Sequence, residues 1–486
     1  MTSALHPSAA RRCLLAAALS ASLALSACSG PGPAASSDAH GAAASATAGA
    51  ASSSTGKENG AVPTAAPSAA SAAAAPASKA VAGWSWADGT PVMASEPTPD
   101  GAEPLEGTEL DVPHPRTNTW SVATVTSAGR VIIATSPRDG SKGSSPLELA
   151  VAGPHLEPVS PFPAGADPYA ANRSFSDLDM ETLKPGVAWF PVDGSFTTDG
   201  AAFAWAASEL PGDGYASGRL RIMYAPSVGQ APRVLATFPA QRSDGDFLPA
   251  TDSLRLSPAG AGQRVYFSET SSPAGGASTR IRSVEVGTGG GAPRLEATDA
   301  ARPSPTRDGM LAWIDEDPSA ATARPSLARF TNGKRTVLLR SNIRFAKDSA
   351  GLETMAELQA SPSGDVVYLP VVDANTTEGP KLTGGAVLRL DARTAVSAGL
   401  PASEFDSLAA VLCGESLLVD DGLEDGIPLQ RISADGASTA LRSPVRAAAL
   451  YSVPVCSPDG DTVVYSLPYN LDHPLARFVV ARYPRS

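Results

Sequence analysis

The side chains that enzymes use as nucleophiles, general bases and metal ligands are sparse in the predicted folded part of this chain. Its histidines there are His114, His155 and His473, which lie in predicted loops, share no helix face and lack zinc-ligand spacing. The nucleophile elbow of hydrolases, Gly-x-Ser-x-Gly, does not occur, and the nearest serine, Ser416, lies in a predicted strand without the closing glycine. The sequence therefore predicts a non-catalytic protein without a metal site or a cofactor.

One glycine-rich segment has the spacing of a dinucleotide-binding turn, at Gly287, Gly289 and Ala292. That turn needs a strand before it and a helix after it. Pro293 and the strand-like residues around it predict a hairpin turn instead.

The first 27 residues have the order of a secretory signal peptide. Arg11 and Arg12 precede an apolar run over 13–25, and small residues follow at 26–27. The run is about half of the ~20 apolar residues that a membrane-spanning helix needs. Residues 25–28 (Leu-Ser-Ala-Cys) resemble the lipobox of bacterial lipoproteins, which implies acylation of Cys28 and anchoring on the outer face of the cytoplasmic membrane. An ordinary signal peptide, and twin-arginine export in place of general secretion, remain alternatives.

Composition divides the rest of the chain into a linker and a folded region. From residue 29 to about 80 the chain is almost wholly Ala, Ser, Pro, Gly and Thr, which predicts a disordered tether with an average span of roughly 40 Å. We therefore predict a signal peptide over 1–27, a lipidated cysteine and tether over 28–80, and a folded domain over 81–486.

The mature chain is strongly acidic. Without the signal peptide it has 35 basic and 49 acidic residues, a net charge of −14. This charge argues against nucleic acid or anionic lipid headgroups as partners. The expected state is a monomer whose contact with the membrane is made by the lipid.

The folded region repeats one unit, a turn followed by an apolar strand. The clearest copies are Ser361–Gly364 (SPSG) before Val366–Tyr368 and Ser457–Gly460 (SPDG) before Val463–Tyr465. In such turns Ser and Asp cap backbone N–H groups, Pro fixes φ and Gly takes the left-handed position. Weaker copies begin at Ser127, Thr198, Ser257, Thr306 and near Cys413. Repeats at this interval predict an all-β fold, a β-propeller of about seven four-stranded blades, with six or eight as alternatives.

The strand after each turn is expected to be innermost in its blade. One blade is clear in full, with strands at 202–206, 219–224 and 233–238. Trp205 and Trp313 lie on the strands after the turns and are expected in the core. Only two strands follow the last turn, so an N-terminal segment near 91–94 or 119–126 is expected to pair with the C-terminal sheet and close the ring.

These units are similar to the WD40-like repeats of TolB-like propeller proteins. The resemblance covers roughly residues 84–486 and implies a propeller, although the separate N-terminal domain of TolB is not evident and a lipid anchor departs from TolB. A second similar group is the actinobacterial lipoproteins that assist a sensor kinase. Fold alone does not fix function.

Two cysteines remain in the folded region once Cys13 leaves with the signal peptide and Cys28 is acylated. Cys413 and Cys456 begin corresponding repeat units in a chain predicted to reach an oxidising compartment. A disulfide between them is expected, with two buried thiols as the alternative.

The loops that follow the predicted inner strands should gather on one face, and they are acidic. The predicted binding rim consists of Asp315, Glu316, Asp317, Asp373, Asp420, Asp421, Glu424 and Asp425. Glu209, Asp213, Glu269, Glu378 and Asp472 extend it, against Arg324 and Lys381 alone. Such a face would attract a basic protein patch, a basic peptide or another cation, or else is simply a solvated surface. The spacing over 420–425 does not match an EF-hand loop.

Two functions follow from these patterns. The preferred one is a binding scaffold of the cell envelope, with a protein or a cationic ligand on the propeller face. The alternatives are an accessory lipoprotein of a sensor kinase, or a propeller hydrolase or lyase with a site built from loops at the channel mouth, which would need converging titratable groups.

Overall fold

Strands make up nearly all regular structure in the described part of the chain. The computed structural model describes residues 78–113, 118–137, 148–153, 155–160, 188–192, 194–210, 219–239, 246–260, 262–271, 277–287, 291–346, 352, 355, 357–373, 381–398, 410–420, 429–442, 454–466 and 475–482. All of them belong to one unit that runs from Pro76 to Ser486. Within these ranges the helical element is the 3-10 turn Thr251–Ser253, and no helix there is long and apolar enough to cross a membrane. The predicted signal peptide, Cys28 and tether lie outside the described residues, apart from 78–80.

The described chain begins with four strands that we call the belt. They are β1 (Ser78–Trp86), β2 (Pro91–Ser95), β3 (Thr98–Pro104) and β4 (Glu106–Pro113).

In the described residues, the strands after the belt can be grouped by antiparallel pairing and chain order into seven sets. Set 1 contains β5 (Asn118–Val125), β6 (Val131–Pro137), β7 (Glu148–Val151) and β8 (Glu157–Pro158); set 2 contains β9 (Ala188–Pro191), β10 (Thr197–Thr198), β11 (Phe203–Leu210), β12 (Arg219–Ala225) and β13 (Arg233–Pro239). Set 3 contains β14 (Leu248–Pro249), β15 (Arg255–Leu256), β16 (Arg264–Ser271), β17 (Ser278–Glu285) and β18 (Arg294–Thr298); set 4 contains β19 (Ala300–Thr306), β20 (Gly309–Asp315), β22 (Pro325–Thr331) and β23 (Lys334–Ser341), with the small pair β21 (Thr322–Ala323) and β24 (Phe345–Ala346) beside it. Set 5 contains β25 (Gln359–Ala360), β26 (Val366–Asp373), β27 (Lys381–Arg389) and β28 (Thr394–Ser397); set 6 contains β29 (Ala410–Cys413), β30 (Ser416–Asp420), β31 (Leu429–Ser433) and β32 (Ala437–Arg442); set 7 contains β33 (Val455–Cys456), β34 (Thr462–Ser466) and β35 (Leu475–Arg482).

The repeat turns have the predicted chemistry. In the turn that begins at Ser361, Val366 N donates to Ser361 Oγ at 3.1 Å and Gly364 has φ +77°. In the turn that begins at Ser457, Thr462 N donates to Ser457 Oγ at 3.0 Å and Gly460 has φ +76°. Each serine hydroxyl thus accepts a hydrogen bond from a backbone N–H at the start of the next strand, and glycine adopts the left-handed conformation at low energetic cost.

In the strand order of its sheet, the strand after each turn is second from the centre of the ring, so the prediction that it is innermost is wrong. In sets 2 and 3 two short strands share the inner position, β9 with β10 and β14 with β15, and β11 and β16 are the second strands there. Another strand pairs with its inner edge, as β25 does with β26 and β33 with β34. Neighbouring first strands contact one another, from β33 to β5 and from β15 to β19 for example, and so surround the centre of the ring. In sets 2, 3, 5, 6 and 7 these inner strands have only two to four residues, which leaves too little alternation to be recognised in a sequence.

The second strands are apolar because neighbouring sets cover both of their faces. Along β26, Val366 and Tyr368 pack toward set 6, whereas Val367 and Leu369 pack toward set 4 and the belt. Trp205 and Trp313 lie on second strands and are 3% and 0% exposed, which confirms them as core residues.

Buried hydrophobic clusters join the sets in a closed order. Seven of these clusters draw residues from consecutive sets, and one of them joins set 7 back to set 1 through Phe478 and Ile133. Sheets that pack face to face in a cycle form a β-propeller. The predicted strands of set 2 are also confirmed, and Gly287 lies in a hairpin between β17 and β18.

The N-terminal segment closes the ring, as predicted, but through a strand that the sequence does not suggest. Strand β4 pairs antiparallel with β35, with Leu110 opposite Phe478 and Gly107 opposite Ala481. The two segments expected in this role lie elsewhere, because β2 pairs with β28 and β5 is the first strand of set 1.

The whole belt runs along the outer edges of four sets. Strand β1 pairs with β23 of set 4, β2 with β28 of set 5, β3 with β32 of set 6 and β4 with β35 of set 7. The β1–β2 hairpin thereby merges sets 4 and 5 into one ten-stranded sheet. Pairing of this kind hides edge strands that would otherwise present free N–H and C=O groups.

Two tryptophans fix the hairpin of the belt to the ring. Trp84 is 4% exposed, and its ring centroid lies 5.6 Å from that of Trp313. The Arg393 guanidinium lies 5.0 Å from the centroid of Trp86 and forms an ion pair of 2.9 Å with Asp88. The Arg393 hydrogen bond, with those from Thr90, holds the pKa of Asp88 well below its usual range.

Candidate functional site

The loops that follow the second strands leave the ring at one end, which we call the loop face. The turns that precede the second strands lie at the other end, the turn face. The described loop of set 4 contains the first three residues of the predicted binding rim, Asp315, Glu316 and Asp317. This loop shows what acidic residues do on that face.

Asp315 is a structural acid. It ends β20, is 5% exposed, and its Oδ1 accepts backbone N–H groups from Asp317 at 3.1 Å and Arg324 at 3.2 Å. Its carboxylate therefore fixes both ends of the loop before any ligand arrives.

Glu316 is paired with an arginine from another strand. Arg340 Nε donates to Glu316 Oε1 at 3.0 Å and Oε2 at 3.2 Å. Sequence reasoning counted basic residues only in the loops, so it missed Arg340, which belongs to β23. Asp317 is exposed and accepts a hydrogen bond from Ser319 Oγ at 2.8 Å.

Glu269 lies inside the protein rather than on a solvated rim. Its side chain is 1% exposed, and it contacts Arg280 Nε at 2.5 Å and Arg282 Nη1 at 3.8 Å. Arg280 also lies over the ring of Phe247 at 3.9 Å. Both arginines come from β17, where cross-strand pairing places Arg280 directly opposite Glu269.

The remaining predicted site residues give less information. Asp373 and Asp420 end β26 and β30, but their side chains are not among the described ones. The described residues do not include Asp421, Glu424, Asp425 or Cys28. In the described ranges no three His, Cys, Asp or Glu side chains are grouped to hold a metal ion. Binding by the rim stays a prediction.

A cleft on the loop face lies at the junction of sets 3 and 4. Two carboxyl-bearing residues, Asp299 and Asp315, line it. The other lining residues are Ala277, Ser278, Thr279, Pro318, Ala323 and Leu352. Because acidic and hydroxyl-bearing residues are among those that line it, the cleft is suited to a polar or cationic group.

The backbone at this junction is held in an unusual conformation. Asp299 has φ +53° and Arg302 has φ +54°, in the left-handed region that residues other than glycine rarely occupy. Asp315 N donates to Asp299 O at 2.8 Å, and Arg302 N donates to Ser268 Oγ at 2.8 Å. Such conformations persist where surrounding contacts enforce them, and they are frequent at functional sites.

Toward the centre of the ring, ion pairs join set 3 to other parts of the chain, namely Arg302 of set 4 and Glu357 in the segment before set 5. Arg302 Nη1 lies 2.6 Å from Asp252 Oδ2, and Arg255 Nη2 pairs with Glu357 Oε1. Sequence reasoning missed these four residues, because the pairs join first strands and turns that are distant in the sequence.

The turn face carries the disulfide. Cys413 and Cys456 are bonded, with Cα atoms 5.6 Å apart, as the sequence predicts. Since Cys413 ends β29 and Cys456 ends β33, the bond joins the first strands of sets 6 and 7.

Comparisons with known proteins show likeness of fold only. No family model and no curated protein matches the chain. Among solved structures, the TolB protein of Acinetobacter baumannii is 14% identical with a TM-score of 0.30, covering 61% of this chain and 59% of TolB. The β-propeller domain of the Trilobed protease from Pyrococcus furiosus is 10% identical with a TM-score of 0.39, covering 72% of this chain and 91% of that domain. The Dos1 propeller is 11% identical with a TM-score of 0.37, covering 80% of this chain and 88% of that propeller. At these values the likenesses carry no argument about activity or partner.

Proposed function

We propose that this chain is a binding protein of the cell envelope, a seven-bladed β-propeller held to the outer face of the cytoplasmic membrane by a lipid on Cys28. In this proposal each of the seven sets is one blade, and the belt supplies the outer strand of the last blade. The closed order of the hydrophobic clusters supports this number of blades. The ring binds a partner and does not act as an enzyme.

The acid-lined cleft carries the proposal. Two acidic residues, Asp299 and Asp315, line one concave surface on the loop face. Arg340 pairs with Glu316 nearby, and the exposed Asp317 directly precedes Pro318 of the cleft lining, so acidic residues border the cleft. A lysine or arginine side chain of a partner protein fits this chemistry, and the net charge of the mature chain favours a basic partner at long range.

The tether suits a protein that reaches a partner near the membrane. A coil of about 50 residues lets the ring search a volume with a radius of tens of ångströms around its anchor. Acidic surface keeps the ring away from anionic lipid headgroups, so the partner is another protein of the envelope.

Capture from the native envelope tests the proposal. The full chain is cross-linked in cells, purified and compared with Asp299→Asn and Asp317→Asn variants. Asp391→Asn is the matched control, because Asp391 is an exposed acid beside the turn face whose carboxylate caps only its neighbour, Ala392 N, at 2.8 Å. We expect the Asp299→Asn and Asp317→Asn variants to lose the partner in a salt-dependent manner and the control to retain it.

Unchanged capture by both variants, or equal loss in the control, would contradict a partner site at this cleft. Turnover of a substrate by the purified chain would contradict the non-catalytic proposal.

A further inference from the structure

Two arginines at the centre of the ring contact the same residue. Arg302 Nη1 contacts the Asp252 carboxylate at 2.6 Å, and Arg255 Nη1 donates to the Asp252 carbonyl oxygen at 3.1 Å. Arg255 Nη1 also donates to Leu254 O at 2.6 Å. Both guanidinium groups therefore border Asp252, although they come from different sets.

The arginines are held more deeply than the acids that neutralise them. The side chains of Arg302 and Arg255 are 15% and 20% exposed, whereas those of Asp252 and Glu357 are each 56% exposed. The carboxylates are thus the solvent-facing members of both pairs. Ion pairs with an exposed partner contribute little stability, so displacing these carboxylates from the arginines costs little.

We propose that Arg255 and Arg302 form an oxyanion-binding site at the centre of the ring, with Asp252 and Glu357 occupying it as internal ligands. A phosphate or carboxylate group replaces the two exposed carboxylates and is held by both guanidinium groups. Guanidinium forks match the oxygen spacing of phosphates and carboxylates and bind them with two parallel hydrogen bonds.

The backbone around Arg302 supports a positioned side chain. Arg302 lies in an irregularity of β19, between Ala301 and Ser304, where the pairing with β20 shifts. Its left-handed backbone is held from set 3 by the Ser268 hydroxyl. Irregularities of this type redirect a side chain from the sheet, and here they direct it to the ion pair with set 3.

This site uses arginines to bind an anion, whereas the cleft on the loop face uses acidic residues to bind a cation. The proposal therefore does not depend on the partner proposed above. It also gives an unusual expectation. Removing an acid should strengthen binding of an anion, because the acid competes for the arginine, whereas a purely structural ion pair would only lose stability.

Isothermal titration of the full purified chain at low chloride tests this expectation, with inorganic phosphate and succinate as separate probes. We expect Asp252→Asn and Glu357→Gln each to tighten binding about 3- to 5-fold, the gain from removing one weak competing pair. Arg302→Gln and Arg255→Gln should each weaken binding at least about 10-fold. Arg393→Gln is the control, since Arg393 forms a similar exposed pair with Asp88 on the belt, and it should bind as the wild type does.

The two probes separate the possible sources of the ligand. Binding of both supports recognition of any oxyanion, and binding of one identifies phosphate or carboxylate as its source. If Arg302→Gln fails to fold, Arg302→Lys keeps the charge without the fork and should still bind more weakly than the wild type. Failure of both acid variants to bind either probe more tightly than the wild type, or equal weakening in Arg393→Gln, would overturn the proposal.

Discussion

Replacing Trp84 tests whether the belt is an integral part of the ring. Trp84 is 4% exposed and lies in the cluster that joins set 4, the belt hairpin and set 5. Truncation to alanine removes a large buried ring, so Trp84→Ala should lower the free energy of unfolding by about 3–5 kcal/mol. Trp84 Nε1 is buried without a hydrogen-bond partner among the described residues. Trp84→Phe removes that polar group, which partly offsets the smaller ring, and should stay within about 1.5 kcal/mol of the wild type.

Urea unfolding followed by far-ultraviolet circular dichroism measures both variants. Met93→Ala is the control, because Met93 lies on the same hairpin but is 44% exposed, and it should change stability by no more than about 0.5 kcal/mol. An early transition of low amplitude in Trp84→Ala would show that the hairpin separates before the ring unfolds. A loss in Trp84→Ala no larger than that in Met93→Ala would refute the reasoning, since the belt would then contribute no buried core.

Four further predictions address the anchor, the disulfide, the loop face and the acid response. Cys28→Ala should release the protein into the medium, and equal membrane fractions for variant and wild type would place the anchor elsewhere. Cys413→Ser with Cys456→Ser should cost roughly 4 kcal/mol in the chain-entropy model for a separation of 43 residues, measured by urea unfolding. Asp315→Ala should lower stability by about 1–3 kcal/mol by leaving two backbone N–H groups without their acceptor, so an unchanged Tm would contradict its structural role. Burial alone would raise the pKa of Glu296, but hydrogen bonds from Arg294 and Ser283 hold this pKa below its usual value. The stability that the lowered pKa provides is present above about pH 4.5 and is lost as the pH falls through the lowered pKa. Glu296→Gln should therefore flatten that part of a curve of unfolding free energy against pH.

The turns and second strands were predictable because local chemistry determines them. Ser361 and Ser457 cap backbone groups only a few residues away, and the strands that follow are buried on both faces. Both signals therefore lie within about ten residues of sequence.

The belt could not be predicted in the same way. Strand β3 contains Pro99, Gly101 and Pro104, and most of its side chains are exposed, so its residues have low strand propensity. It is a strand because β32 of set 6 offers an edge to pair with. Tertiary pairing decides the conformation here, and that pairing joins residues more than 300 positions apart in the sequence.

The loop face shows the same limit for electrostatics. A count of charges along the loops correctly identifies the acidic residues, but it treats every one of their side chains as exposed to solvent. Glu269 and Glu316 instead meet Arg280 and Arg340, which lie on strands that sheet pairing brings alongside. The field of this face is therefore weaker at set 4 than the sequence suggests. Asp317 is exposed and directly precedes Pro318 of the cleft lining, so its neutralisation, rather than that of Glu316, which pairs with Arg340, should decide whether a basic partner is captured.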